Sequence, residues 1–367
     1  MKKYIFTLLL AIVGAVSFSS CVHDLDTMPI DDNKLVKDDV YSTTEGYMGM
    51  LAKCYASLIQ TGQQGGDGGD GDLLGANEGY SGYVRLLFYL QELSTDNFIM
   101  PSQSNGLRRC LNLTWDASNA SVVTWTYQRL YMSVAYSNEF LRECTPEALK
   151  SRGLWDDFKD NYAQYRAEVK MIRAYCYVML ADLFANVPVI DETVGPKDLP
   201  VQKTRAEVLE FAEKELLAIC GATASEDVLA NPGTAGRGHV DRAAAWILLS
   251  RMYLNMKTWT GTDRYNDALA YSRKVIECGV YPLADDYRHI FLADNDQCPE
   301  IIWGLAQDGL RAQSSAGTNF YVKAFVNGPM DELYRTGVGS KGWGNVRSKT
   351  TLVDIFDPSD VTFRTDD

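Results

Sequence analysis

Residues 246–253 read WILLSRMY. Trp246, Leu249, Ser250 and Tyr253 stand at the W-x-x-L-G-x-x-Y spacing of the first helix of a tetratricopeptide unit, with Ser250 in the place of the small residue. The spacing has a mechanism: a small residue lets two helices approach, while Trp and Tyr pack between them. Downstream, Ala268, Tyr271 and Pro282 supply a second helix and its stop, after an insertion of about six residues. Upstream the theme repeats more loosely. A strong helical pattern runs from about Tyr162 to Phe184 and stops near Pro188, and Thr204-x-x-Glu207 is a capping box opening a helix to about Cys220. A chance amphipathic pair could imitate one unit; two neighbouring pairs favour a repeat scaffold.

Further out, Asp241 is placed to cap a helix to Met256, and another runs from Arg264 to Cys278, ended by Gly279. A helix over Val122 to Glu143 carries Trp125, Leu130, Val134 and Leu141 among its apolar positions, and Thr145-Pro146-Glu147 reads as N-cap, N1 proline and first-turn acid. From Glu45, residues Tyr47, Met48, Leu51, Tyr55, Leu58 and Ile59 share one face. Gly62 to Gly82 is a Gly/Asp-rich loop. Beyond residue 300 the pattern changes: Ile301-Ile302-Trp303 and Phe320 to Val326 read as short strands, and GVGSKGWGNVRS (337–348) is a Gly-rich loop carrying Trp343. The expected fold is mainly α, with tetratricopeptide-like helix pairs, an irregular loop-rich region and few short strands.

Composition bounds the function. The 367 residues are 46% hydrophobic and 23% charged, which suits a globular chain with a sizeable core. A net charge of −13 argues against a nucleic-acid surface. Tyr accounts for 21 residues; an apolar face with a polar tip suits wet, ring-stacking surfaces as well as cores. The N-terminus reads as an address: Lys2 and Lys3, an apolar run from Tyr4 to Val16, then Ser17-Phe18-Ser19-Ser20 before Cys21. Small residues directly before a Cys resemble a bacterial lipobox, with Phe18 where Leu is usual, so residues 1–20 are expected to be a lipoprotein signal peptide and Cys21 the acylated residue. An ordinary secretory leader with a coincidental Cys is the other reading. Residues 21–44 are expected to form an acidic tether.

Little catalytic or metal chemistry is legible. Three His, at 23, 239 and 289, starve most such sites. With Cys21 removed, seven Cys remain, an odd number without a C-x-x-C pair, so neither a disulfide framework nor structural zinc is expected; Cys54, Cys176 and Cys220 fall inside apolar helical patterns. EF-hand registers counted from Asp67 or Asp70 both fail. Asp294-Asn295-Asp296 gathers hard oxygen ligands that a structural calcium could use, although a plain surface turn reads better; no other cofactor is expected. P-loop, H-E-x-x-H and G-x-S-x-G motifs are missing from the sequence. Glu168, Lys170 and Arg173 read as a structural ion network rather than a catalytic set.

The stretch Arg166 to Phe184, RAEVKMIRAYCYVMLADLF, followed by Ala185-Asn186-Val187-Pro188, resembles the signature helix of the SusD/RagB family. So do Gly236 to Tyr253 (GRGHVDRAAAWILLSRMY), Tyr265-Asn266-Asp267-Ala268-Leu269, Val275 to Gly279, Asp286-Tyr287, Ile290-Phe291 and Pro299-Glu300-Ile301-Ile302-Trp303. The lipoprotein start and CVHDLD (21–26) fit as well. The resemblance implies an outer-membrane, surface-exposed, lipid-anchored binding protein of the Bacteroidetes type. Such a protein is no enzyme: it captures glycans or other nutrients and acts as a lid on a TonB-dependent SusC-like transporter, with no nucleic-acid partner. It also implies a helical region over residues 45–290 and, over 291–367, the start of a C-terminal region that is incomplete in this chain.

The similarity is greatest to the family's starch-binding member, whose arc of aromatics stacks on a glucan while polar groups bond its hydroxyls. Arg85, after Tyr83, matches a ligand-contacting Arg; Asn105 matches a ligand-contacting Asn in the loop after Thr95-Asp96; Trp343 matches one arc aromatic. Two other arc positions fall on Ser102 and Ser315, which weighs against starch itself, and Tyr80 or Tyr83 could supply a ring. The bland alternatives are an ion pair for Arg85, a turn for Asn105 and a local core for Trp343. A surface glycoside hydrolase and a repeat scaffold that binds only protein are the rival functions.

Overall fold

The computed structural model describes residues 36–61, 72–73, 76, 78–101, 105–116, 121–195, 197–292, 294–307, 317–334, 337–338 and 342–355, without the side chains of Glu78, Asn105 and Tyr334. The leader, Cys21, most of the Gly/Asp loop including Asp67 and Asp70, from which the EF-hand registers start, Ser102, Ser315 and the C-terminal tail lie outside the described residues. The chain divides into two compact units, 1–47 and 48–367. In the first, residues 37–40 of the expected tether form a helical turn, closed where the Val36 amide donates to Asp39 at 3.1 Å. Tyr41 and Tyr47 meet edge to face, with ring centroids 4.9 Å apart.

Nine longer helices order the described residues: α1 (Thr44–Ala56), α2 (Tyr83–Gln91), α3 (Asn105–Asn112), α4 (Ser121–Glu143), α5 (Tyr162–Phe184), α6 (Arg205–Ile219), α7 (Arg242–Thr260), α8 (Tyr265–Glu277) and α9 (Thr318–Phe325). Short helical turns and two two-stranded ribbons, β1 (Phe98–Ile99) with β4 (Arg347–Ser348) and β2 (Val187–Pro188) with β3 (Gln202–Lys203), complete them. The local signals act as expected. Thr145 accepts from the Ala148 amide at 3.2 Å. Thr204 and Glu207 close a reciprocal capping box. Asp241 accepts from the Ala243 amide at 2.8 Å. Helix α7 runs one turn past Met256, until Gly261 at φ +79° takes the left-handed backbone that ends it.

Successive helices α4 to α8 pack on one another. The central member, α5, buries Ala167 to Val169, Met171 to Ala174 and Cys176 to Ala181, so little of its circumference meets water. Between α7 and α8 the small Ser250 does what its spacing requires. Its hydroxyl donates to the Ala268 carbonyl at 2.9 Å and meets the Ser272 hydroxyl at 2.6 Å, so the two helices touch closely there. Seven described cysteines are free thiols, and burial pushes the Cys176 thiol up to about 12, which suits a packing group and not a nucleophile.

Two strand expectations are corrected. Phe320 to Phe325 is helical rather than extended, as most of α9, with Val326 the extended residue that ends it, and Ile301-Ile302-Trp303 forms no strand. Aromatic and β-branched residues give 320–326 a strand-like composition, but Phe320 and Ala324, four apart, are the two residues it buries. That is a helical period, and packing against a core overrides intrinsic preference.

Candidate ligand-binding site

Helix α2, YVRLLFYLQ, buries Tyr83, Arg85, Leu86, Phe88 and Tyr89. Phe88 is the centre of an aromatic core, its ring centroid 5.6–6.3 Å from those of Tyr89, Phe98, Phe320, Tyr321 and Phe325. Arg85 lies at the edge of that core and is 4% exposed. Its Nε donates to the Tyr89 hydroxyl at 2.5 Å and a terminal nitrogen donates to the Gly79 carbonyl at 2.6 Å. The guanidinium sits 4.1 Å from the Tyr80 ring centroid, 4.9 Å from Phe320 and 5.4 Å from Trp343. A cation surrounded by ring faces at these distances is held by their quadrupoles as well as by its hydrogen bonds. Arg85 is therefore a positioning group, and no carboxylate pairs with it among the described residues.

Two rings of this box reach solvent. Tyr80 is 38% exposed, and Trp343 is half-buried. Trp343 owes its place to a strap across the end of α9. The amides of Trp343, Gly344, Asn345 and Val346 donate to the carbonyls of Lys323, Val326 and Ala324 at 2.6–3.0 Å, satisfying acceptors that the helix end leaves open. The glycines flanking the tryptophan are required there. A side chain on Gly342 would meet the Val326 carbonyl oxygen at 2.2 Å, and Gly344 has φ +53° with Asn327 2.8 Å from where a Cβ would lie. The strap continues into β4, where Phe98 pairs with Ser348 and Ile99 with Arg347. Lys349 then donates through its amide to the Asn97 carbonyl at 2.8 Å and through its ammonium to the Thr95 carbonyl at 3.0 Å.

The structure thus brings Arg85 and Trp343 together and adds Tyr80. Tyr83 belongs to a different environment: its buried hydroxyl is 2.9 Å from the Tyr175 hydroxyl, and burial first, then Tyr175, raises its phenol well above the usual range. It is core, not a free sugar-stacking ring. Asn105 opens α3 but its side chain lies outside the described residues, as do Ser102 and Ser315. Phe320 and the strap backbone were not legible as site elements, because Phe320 reads as part of a strand and the strap as a Gly-rich loop, both more than two hundred residues from Arg85.

The residues set aside as an ion network divide among separate partners. Arg173 binds Glu215, Glu192 at 2.5 Å and Asn138 at 2.5 Å; Lys170 binds Asp227 at 2.7 Å. Glu168, fully buried, accepts from Tyr55 at 2.7 Å, Gln164 at 2.8 Å and His239 Nδ1 at 2.9 Å. That last hydrogen bond raises the His239 pKa, against opposition from burial. Asp294 to Asp296 forms a short turn in which Asp296 pairs with Arg237, and among the described residues no group of three or more acids, His or Cys could hold a metal. No helix among them is long and apolar enough to cross a membrane.

A family model described as SusD-like, "Starch-binding associating with outer membrane", matches residues 73–254. The starch-binding protein SusD of Bacteroides thetaiotaomicron is 31% identical over 359 residues, which cover 96% of this chain and 59% of that protein. Among solved structures, surface glycan-binding protein A of Bacteroides fluxus superposes with a TM-score of 0.59 at 20% identity, covering 87% of this chain and 62% of its own. A SusD superfamily protein of B. thetaiotaomicron gives 0.62 at 16% identity, covering 85% and 61%. The chain therefore spans about three-fifths of the length of each of these proteins.

Proposed function

The chain belongs to the SusD-like family, and from that premise we propose that it is a non-catalytic glycan-binding lipoprotein. It is anchored through Cys21 at the outer-membrane surface, captures oligosaccharides and passes them to a TonB-dependent SusC-like transporter. The observation that carries the reading is the Arg85 box, in a chain 31% identical to a starch-binding protein. Sugar rings present C–H faces to aromatics and hydroxyls at their edges, so fixed, half-exposed rings beside a polar rim are what a glycan needs. Tyr80 and Trp343 are fixed in that sense: the guanidinium between them and the strap behind Trp343 hold both without a ligand. Rigid rings lose little entropy on binding. The glycan need not be starch, because Ser102 and Ser315 stand at two positions where the starch arc has rings. Asn105, at the start of α3, is the proposed polar partner for hydroxyls.

Affinity electrophoresis of a soluble form beginning after Cys21, run in starch, levan, xylan, mannan, pectin and host-glycan gels, tests this reading. One glycan is expected to retard the protein, and Trp343→Ala to abolish retardation while the circular dichroism stays native. Release of reducing ends would instead mean a hydrolase. No retardation in any gel, with the transporter still captured in pull-down, would mean a protein-only scaffold.

A further inference from the structure

A cleft of about 740 Å3 lies along α1 and is lined on its other sides by the 237–239 and 304–306 segments. Met48, Leu51, Ile59 and Leu305 give it aliphatic walls; Lys53, Tyr136 and His239 are among its polar lining. Its acids are already engaged. Asp72 is chelated by Arg129 through two bonds of 2.6 Å, and Glu168, behind His239, is saturated by the three hydrogen bonds described above. Arg237 is paired with Asp296. Lys53 is different: it is exposed, its ammonium is 4.7 Å from the Tyr136 ring centroid, and no carboxylate pairs with it among the described residues. His239 commits Nδ1 to Glu168, so its ring is held by that acid.

An apolar chamber with one unpaired ammonium and no spare acid is matched by an anion on an apolar body. We propose that this cleft is a second binding site, distinct from the Arg85 box, for a small carboxylate-bearing amphiphile such as a medium-chain carboxylate. The carboxylate bonds Lys53, and the chain lies along Met48, Leu51, Ile59 and Leu305. A glycan fits less well, because the aliphatic walls offer few partners for its hydroxyls.

Isothermal titration with decanoate and with 1-decanol separates the two components. Decanoate is expected to bind one saturable site about tenfold tighter than 1-decanol, the scale of one charge-assisted hydrogen bond. Lys53→Met, which keeps the stem and removes the charge, should erase that advantage and leave 1-decanol unchanged. Ala52→Trp, on the cleft wall and exposed, should abolish both, whereas Trp343→Ala should alter neither. The proposal is overturned if decanoate does not bind, if either cleft variant binds it like the parent, or if an oligogalacturonate occupies the site lost in Ala52→Trp while decanoate does not.

Discussion

The helix stack α4 to α8 and the Arg85 box solve the same problem, fixing polar groups inside a largely apolar protein, by opposite routes. In the stack, the partners come from neighbouring helices. Arg173 on α5 meets Glu215 on α6, Asn138 on α4 and Glu192 in the following loop, and Ser250 on α7 meets α8. In the box, Arg85 meets Phe320 and Trp343 across most of the chain, and β1 meets β4 across about as much. Short-range order nucleates readily, whereas long-range contacts cost loop-closure entropy and hold only when the distant strap is in place. The stack is thus a frame that stands on adjacent contacts, and the box is a surface feature that a single strap assembles.

Breaking the stack should unfold the molecule. Arg173→Met strands Glu215 and Glu192 beside a buried apolar site and is expected to cost about 3–5 kcal/mol in urea unfolding. A loss below about 1 kcal/mol would show that the network is not structural. In the box, Phe320→Ala opens the core under Arg85 and should cost about 3 kcal/mol, with near-ultraviolet circular dichroism changing before the helical far-ultraviolet signal. Coincident transitions would mean that frame and box are one cooperative unit. Gly344→Ala forces a side chain onto a left-handed residue against Asn327. It should cost about 1–2 kcal/mol and weaken glycan retardation by loosening Trp343.

A smaller effect is expected from pH. Glu168 raises the folded pKa of His239 above 6.5, so this contact stabilises the protein fully below that value. Its contribution is lost as pH rises through the folded pKa. The urea midpoint of the parent should fall slightly between about pH 6 and 9, and His239→Gln should remove that part of the slope. An unchanged slope in the variant would mean that the proton on His239 does not couple to folding. Because the ring is partly exposed, solvent screening keeps the effect small.

The same division explains what the sequence made legible. Helix α5 runs from Tyr162 to Phe184 as its pattern predicts, and the caps at Thr145, Thr204 and Asp241 act where they stand, because capping and helical period are local chemistry. Phe320 to Val326 misleads for the complementary reason: its composition favours a strand, while the core it faces, built largely from α2, selects a helix. In the box, the chemical type of Arg85 and Trp343 is visible but not the arrangement. Tyr80 and Tyr89 stand near Arg85 in the chain, but no local signal announces that Phe320 and Trp343 join them as its partners. Tyr83 and Tyr80 look alike in sequence; only burial separates the Tyr175-bonded core residue from the half-exposed ring. The cleft beside α1 is less legible still, since Lys53, Tyr136 and His239 come from three distant segments with no shared motif.

The central claim is that rings held by Arg85 capture sugar. The most direct measurement is paired on the same samples: glycan retardation and urea midpoint for the parent, Tyr80→Ala and Trp343→Ala. Loss of retardation in both variants, with Tyr80→Ala holding an unfolding free energy from the same urea curve within about 1 kcal/mol of the parent, is the predicted result. Undiminished retardation in both folded variants would contradict the account and place any glycan site elsewhere on the protein.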